Sequence, residues 1–437
     1  MPQVKIEKLV FGGQGMGRLD DRVVFVTGGF PGETVEFNIT KQKKNFIEGT
    51  VTKVINPSPD RIAPVDDHCM SCSPWQTLSY EAENKWKVEI AKETFRRLAK
   101  LELPDLTIES PSEQYHYRNK MEYNFWIESP TTPGLAADPS SGRKGDQLFF
   151  AFHNRGTHTL RPIGECALAS PEINEAGERV LQFLNRNKVP RRSLKSAIIR
   201  SDGAGHSAIA LFIKDKLELS ARELLSEKTL GVQVYLSDFR SPASVPTELL
   251  TSVGQNYLES SVSDVKLRFG LLSFFQINPP IFEKVIAAMR PFVKNENVVD
   301  YYSGVGAIGL SLAHEAASVT LVEENGEAVE LAKHNIQTNK IKNATAFQAR
   351  AEASLDYIQE GSTVIVDPPR TGLHAAVVEK ILAVKPKRLI YLSCGIDTQA
   401  RDLALLGAEY SPVFSRLYNF FPRTPHIEAL CVLKRRH

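Results

Sequence analysis

The turn DYYSGVGAIG at 300–309 constrains this chain more than any other segment. The apolar run NVVDYYS leads into it and a helical pattern beginning at Ala307 leads out. Gly304, Gly306 and Gly309 therefore read GxGxxG between a strand and a helix. A helix over 280–292 precedes the turn, and after it the pattern is regular. The chain runs through SVTLVEE, the helix NGEAVELAKHNIQTN, TAFQA, STVIVDPP, the helix HAAVVEKILAV, RLIYLSC and the helix TQARDLALLG. Two strands, SPVFSRLYNF and HIEALCVLKR, close it. Alternation at this spacing predicts an α/β fold, a doubly wound parallel sheet whose ligands sit at the carboxyl ends of its strands.

A chain of 437 residues holds two or three domains. Residues 1–57 read as all-β, a small barrel of the oligonucleotide-binding type, with VKIEKLV, RVVFVTG, ETVEFNIT and FIEGTVTKVI separated by glycine-rich turns. Residues 58–265 read as an α+β central domain, with an amphipathic helix from Thr77 to Lys100 and several mixed strands. The polar stretch 129–146 reads as a loop or disordered insertion, and the doubly wound domain occupies 266–437. No apolar run reaches the length of a membrane span, and MPQVKIEKLV lacks a secretory core. Five cysteines do not make a disulfide framework at this length, so a reducing cytoplasm is the expected setting. The net charge of +2 leaves nucleic-acid binding open, since binding needs a local basic face rather than a basic total. KQKK at 41–44 and PRRSLK at 190–195 are such clusters, though clusters of this kind are more often solvated surface.

The glycine turn is shared by dinucleotide and S-adenosylmethionine sites, so alone it leaves both open. Asp300 separates them, because a carboxylate there repels a pyrophosphate and attracts a sulfonium. Glu323 ends the next strand, nineteen residues after Gly304, where ribose hydroxyls of either cofactor find an acceptor. Asp367-Pro368-Pro369-Arg370 ends a further strand, and its prolines stiffen the backbone where it leaves the sheet. Acid-Pro-Pro strings hold a base in many nucleic-acid methyltransferases. Enzymes acting on amino nitrogens usually follow the prolines with an aromatic residue, so Arg370 points away from an amino-group target.

Cys394 ends the strand RLIYLSC. A cysteine at a strand end is usually a small core hydrophobe, but this one falls at the open edge of the sheet beside the expected donor site. Carbon 5 of uracil is too weak a nucleophile to take a methyl group from a sulfonium. Thiolate addition at carbon 6 makes an enolate whose carbon 5 is strong enough. A base must then remove the carbon-5 proton so that the thiolate leaves by elimination. Glu428, in TPHIEAL at the start of an apolar strand, is the acid of the final strand pair placed for this; its bland alternative is a solvated strand carboxylate.

The ordered set of motifs resembles the S-adenosylmethionine-dependent RNA uracil-5 methyltransferases of the TrmA/RumA type over nearly the whole chain. The matching segments are GQGMGRLDDRVVFVTGGFPGE in a TRAM-like barrel, YHYRNKMEY at 115–123, FFQIN at 274–278, DYYSGVG, DPPR, YLSCGIDTQARD and TPHIEAL. The resemblance implies a Rossmann-like methyltransferase domain with Cys394 as nucleophile and Glu428 as base. It places Gln276, Tyr302, Gly304, Glu323 and Asp367 around the methyl donor, and Arg118 as a contact to RNA or to the active site. The implied substrate is a uridine in structured RNA, ribosomal RNA or a transfer RNA T-loop.

Many members of that family also carry four cysteines, three spaced C-x5-C-x2-C, that hold a 4Fe–4S cluster. Here Cys69, Cys72 and Cys166 match three of them, and Asp66, Asp67 and His68 stand near the place of the missing first. The reduced thiolate count favours no cluster, while three cysteines with His68, or zinc on the C-x2-C pair, are the alternatives. Two further readings of the whole chain are a nicotinamide-dependent oxidoreductase on the glycine turn and a non-catalytic RNA-binding protein.

Overall fold

The computed structural model describes residues 1–104, 106–127, 147–155, 159–241 and 244–436. The chain divides into two compact units: Met1–Gln114 with Ser261–Phe269 and Ser273–His437, and Tyr115–Ser260 with Gly270–Leu272.

The first unit opens with five strands, β1 (Gln3–Leu9), β2 (Gly15–Leu19), β3 (Arg22–Thr27), β4 (Thr34–Gln42) and β5 (Phe46–Asn56). They close into a barrel in the order β1-β2-β3-β5-β4, with β4 pairing back onto β1. Alternating residues, among them Val4, Ile6, Val24, Val26, Val35 and Phe37, fill its interior. Strand β2 corrects the sequence reading, which took GGQGMG for a turn. A Cβ at Gly17 would stand 2.2 Å from the carbonyl oxygen of Lys5, so glycine here admits a close strand neighbour.

A single turn, α1 (Cys69–Cys72), precedes the long helix α2 (Tyr80–Leu98). Ser79 caps α2, its hydroxyl accepting from the Ala82 N–H at 3.3 Å. Ile90, Ala91 and Phe95 on α2 share one apolar core with Val377, Ile381, Leu403 and Leu406. That packing places residues 58–114 in the first unit, whereas the sequence reading put them in the central domain. The short strand β6 (Ile108–Glu109) follows.

The second unit carries a seven-stranded sheet among the described residues. Its elements are β7 (Lys120–Ile127), β8 (Leu148–His153), β9 (Leu160–Ile163), α3 (Pro171–Arg186), β10 (Leu194–Ser201), β11 (Ser207–Ile213), β12 (Thr229–Leu236) and β13 (Glu248–Gly254). The order is β13-β12-β11-β10-β7-β8-β9, with β11 and β12 parallel. Ile173, Val180, Phe183 and Leu184 are the buried face of α3. The polar stretch 129–146 lies outside the described residues. A hairpin of β14 (Tyr257–Val262) and β15 (Val265–Gly270) follows.

The remaining elements are α4 (Pro279–Met289), β16 (Asn297–Tyr301), α5 (Ala307–Ser311), β17 (Ser318–Glu323), α6 (Gly326–Thr338), β18 (Ala344–Gln348), β19 (Thr363–Val366), α7 (Ala375–Val384), β20 (Arg388–Ser393), α8 (Ile396–Leu406), β21 (Tyr410–Tyr418) and β22 (Glu428–Arg435). The sheet order is β18-β17-β16-β19-β20-β22-β21-β6. Strands β16 to β20 are mutually parallel, the doubly wound core expected from the alternation. The last strands depart from an all-parallel sheet, because β22 runs antiparallel to both β20 and β21. This reversal has a consequence for chemistry. Ser393 at the end of β20 pairs with Ala429 near the start of β22, so Glu428 lies at the edge where the parallel strands end. No helix among the described residues is long and apolar enough to cross a membrane.

Candidate active site

One edge of the sheet gathers the sequence-expected residues of the first unit. Tyr302, Asp367 and Cys394 each follow a parallel strand directly, Glu323 ends one and Glu428 begins the antiparallel strand. The backbone of Tyr302 is left-handed, with φ +61°, a conformation a bulky residue adopts only when its surroundings fix it. Asp300, just inside the turn, is fully buried. Its Oδ2 accepts from the Gly309 N–H at 2.9 Å, and burial pushes its carboxyl up to about 8, with Asp367 and Glu323 adding repulsion and the Gly309 bond opposing. Asp300 therefore closes the glycine turn from beneath and does not itself line the cavity. A Cβ at Gly309 would stand 2.5 Å from Leu321 Cδ2 and 2.9 Å from Asp300 Oδ2, so the third glycine serves helix–strand contact.

A cavity of about 510 Å³ opens beside this turn, lined by Tyr302, Glu323, Ala349, Ala351, Leu373 and His374 among others. Its size and half-apolar lining suit a nucleoside. Glu323 Oε2 accepts from the Gly304 N–H at 2.9 Å and Oε1 from the Asn325 N–H at 2.8 Å, which orients the carboxylate at the cavity wall. Gln276 donates through Nε2 to Asp367 Oδ2 at 3.3 Å. Burial raises the Asp367 carboxyl to about 7 and the Gln276 bond opposes the rise.

Cys394 is half-buried, and Glu428 is 8% exposed. Burial first, then the Glu428 and Asp367 carboxylates, push the thiol up to about 11; Arg370 opposes this by its charge and by a hydrogen bond to the sulfur. Burial also raises the Glu428 carboxyl well above the usual range, with Asp367 adding to the rise and Arg370 opposing it. One guanidinium thus favours the ionised form of both groups. Arg370 Nη2 lies 3.4 Å from His426 Nδ1, which ties DPPR to the segment that carries Glu428. Gln399 Nε2 donates to the carbonyls of Tyr391, at 3.0 Å, and Ala429, at 3.2 Å, pinning β20 to β22 beside the site.

Two residues escaped the sequence reading as site members. Arg370 was read only as an argument about target type; its charge was legible, its reach to Cys394 was not. Phe274 is 69% exposed, an unusual state for an aromatic, and its carbonyl oxygen lies 4.0 Å from the Cβ position of Gly304. The string FFQIN gave no signal of which phenylalanine faces out; Phe275 is buried and stacked on Phe269 at 4.1 Å.

Arg118 and Cys166 lie in the second unit. Arg118 is half-buried and held by backbone bonds to Leu168 and Ser170. Cys166 is buried, and Asn174 bonds both its backbone N–H and its carbonyl. Cys69 and Cys72 lie on the single turn α1 in the first unit, with Cys72 Sγ 3.1 Å from Ser73 Oγ. Cys394 and Cys431 both belong to the sheet of the first unit, so three of the five cysteines are left for a metal. Three thiolates do not fit the four-thiolate set that a 4Fe–4S cluster ordinarily takes.

The edge of the doubly wound sheet thus carries a cavity beside the glycine turn, lined by Tyr302 and Glu323, and a strand-end thiol and a buried carboxylate on neighbouring strands, a layout suited to group transfer. The comparisons name the group. The tRNA (uracil-5-)-methyltransferase family model matches residues 80–436, and the TRAM domain model matches residues 3–52. The chain belongs to the tRNA (uracil-5-)-methyltransferase family, whose members draw the methyl group from S-adenosylmethionine. An uncharacterised RNA methyltransferase of Porphyromonas gingivalis is 30% identical over 471 residues, covering 99% of each chain. One from Caldanaerobacter subterraneus subsp. tengcongensis is 28% identical over 462 residues, covering 99% of this chain and 98% of its own. Among solved structures, the Pyrococcus abyssi tRNA (uracil-54, C5)-methyltransferase in complex with S-adenosyl-L-homocysteine shares the fold at a TM-score of 0.78 and 22% identity. That match covers 99% of this chain and 100% of the other. Family membership sets aside the oxidoreductase and the non-catalytic readings.

Proposed function

We propose that the protein makes 5-methyluridine in a structured RNA, ribosomal or transfer, with Cys394 as nucleophile and Glu428 as base. The observation that carries this is the placement of the thiol and the buried carboxylate on neighbouring strands, Cys394 directly after β20 and Glu428 opening β22, whose Ala429 pairs with Ser393. The target uridine leaves its stack to reach the sheet edge, as bases must for chemistry on their ring. Exposed Phe274 offers a face on which that base or its neighbour stacks.

Arg370 favours the thiolate, which adds to carbon 6 and leaves the electron pair delocalised over carbon 5 and the carbonyl at carbon 4. Gln276, Tyr302, Gly304, Glu323 and Asp367 would hold S-adenosylmethionine, which would supply an electrophilic methyl carbon to the electron pair at carbon 5, its sulfur keeping the pair of the broken sulfur–methyl bond and leaving as S-adenosylhomocysteine. Glu428 then removes the carbon-5 proton, the double bond re-forms, and the carbon–sulfur bond breaks to return the Cys394 thiolate. The barrel and Arg118 contact RNA in this reading, and Cys69, Cys72 and Cys166 take no part in the chemistry. The cytoplasm is the setting it implies.

RNA containing 5-fluorouridine tests the scheme, because a base cannot remove fluorine as it removes a proton. With S-adenosylmethionine present, the wild-type protein should form a complex that survives denaturing electrophoresis, and Cys394→Ala should form none. A stable complex with Cys394→Ala would assign the nucleophile elsewhere.

A further inference from the structure

Glu428 is the first residue of β22, and Tyr418, the last residue of β21, pairs with it. The nine residues between them connect this strand pair and lead directly into the backbone of Glu428. The first five of these, 419–423, are held by a buried polar cluster. Glu83 and Lys87 on α2 and Asn419 are fully buried, and Arg423 is 1% exposed. Lys87 Nζ lies 2.9 Å from Glu83 Oε1 and donates to Asn419 Oδ1 at 2.6 Å and to the Phe421 carbonyl at 3.2 Å. Glu83 accepts from Asn419 Nδ2 at 2.9 Å and from the Arg423 N–H at 2.9 Å, with the Arg423 guanidinium 3.4 Å away. Asn278, two residues after Gln276, donates to the Phe420 carbonyl at 3.2 Å.

Such a cluster is an inefficient source of stability. Moving three charged groups out of water costs about as much as their mutual attraction returns, and apolar groups of equal volume serve as well. It does supply direction. Residues 419, 421 and 423 are each bonded to α2 at defined angles, while Asn278 ties residue 420 to the segment that carries Gln276. The same cluster therefore fixes the approach of the base relative to the donor side.

We propose that Glu83 and Lys87 are positioning residues for Glu428, holding the 419–427 connection so that the carboxylate meets the carbon-5 proton once the methyl group has arrived. The proposal rests on the assignment of Glu428 as base. Misplacement of a reacting group by about 1 Å costs on the order of 100-fold, so loosening this connection should slow proton removal by ~10- to 100-fold. Thiol addition and methyl transfer, which use Cys394 on β20, should stay within about threefold.

The experiment is a single turnover on RNA tritiated at uridine carbon 5. Formation of the methylated covalent adduct reports Cys394, and release of tritium reports the base. Lys87→Met keeps the volume and leaves Glu83 paired with Arg423; Asn419→Ala cuts the same link from the other side should the first variant fail to fold. Both should build up adduct at near wild-type rate and release tritium slowly, with KM for RNA unchanged. Tritium release at the wild-type rate, or equal slowing of both steps, would overturn the proposal. Glu428→Gln in parallel separates the two levels. If it stalls while Lys87→Met and Asn419→Ala turn over normally, only the positioning role fails; if it releases tritium normally, the base assignment fails and the positioning role with it.

Discussion

Gln276 and Asp367 meet at 3.3 Å, joining two segments 91 residues apart at the edge where the parallel strands end. The bond holds down the Asp367 carboxyl, which burial raises to about 7. Gln276→Ala should raise that carboxyl further and weaken S-adenosylmethionine binding by ~10-fold, the effect of losing one hydrogen bond to a charged group. Calorimetric titration at neutral pH checks this; unchanged affinity would remove both residues from the donor site.

Arg370 is the group that offsets the rise of the Cys394 thiol to about 11. Replacing it with leucine should push the thiol higher still and shift the pH dependence of iodoacetamide alkylation upward. Adduct formation with RNA at pH near 7 should slow by at least ~10-fold, since each unit of pKa removes nine-tenths of the thiolate. An alkylation profile identical to the wild type would assign Arg370 to RNA phosphate instead.

The buried carboxyls make stability depend on pH in a defined direction. Asp300 at about 8 and Asp367 at about 7 hold protons in the folded chain that they lose near pH ~4 once unfolded. Between those limits the folded state binds more protons, so stability is greatest at the acid end and falls as pH rises through about 8. A sulfonium bound beside Asp367 favours its ionised form, so the stabilisation by S-adenosylmethionine should grow with pH. Melting temperatures with and without the ligand at about pH 6 and about pH 8.5 measure this. A ligand shift that shrinks with pH would contradict it.

Gly309→Ala sets a Cβ against Leu321 and the Asp300 carboxylate at under 3 Å. Overpacking of this kind costs about 1–3 kcal/mol and disturbs the bond that closes the turn. A lowered melting temperature together with weaker donor binding is expected. Full stability with full binding would show that the turn relaxes freely.

Much of this was legible in the chain. The alternation from 297 onward set the parallel core, and the strand-end positions of Tyr302, Glu323, Asp367 and Cys394 followed from it, because a period of two and a period of 3.6 are written in apolar spacing. Glu428 was legible as an acid opening an apolar strand. Its place at the reactive edge depended on β22 running antiparallel, and pairing direction leaves no mark on a short apolar run. The barrel strand β2 was hidden because glycine signals a turn and a close strand approach alike. Residues 58–114 joined the first unit through α2, whose partner helix lies some three hundred residues on, and no local pattern records such a distance. The charge of Asp300 was legible in the sequence and its full burial was not.

The central claim is the reaction itself. Purified protein with labelled S-adenosylmethionine and unmodified ribosomal and transfer RNA, digested to nucleosides and resolved by mass spectrometry, tests it most directly. Label in 5-methyluridine, abolished by Cys394→Ala, is the predicted result. Label in any other nucleoside, or 5-methyluridine formed undiminished by Cys394→Ala, would contradict the scheme.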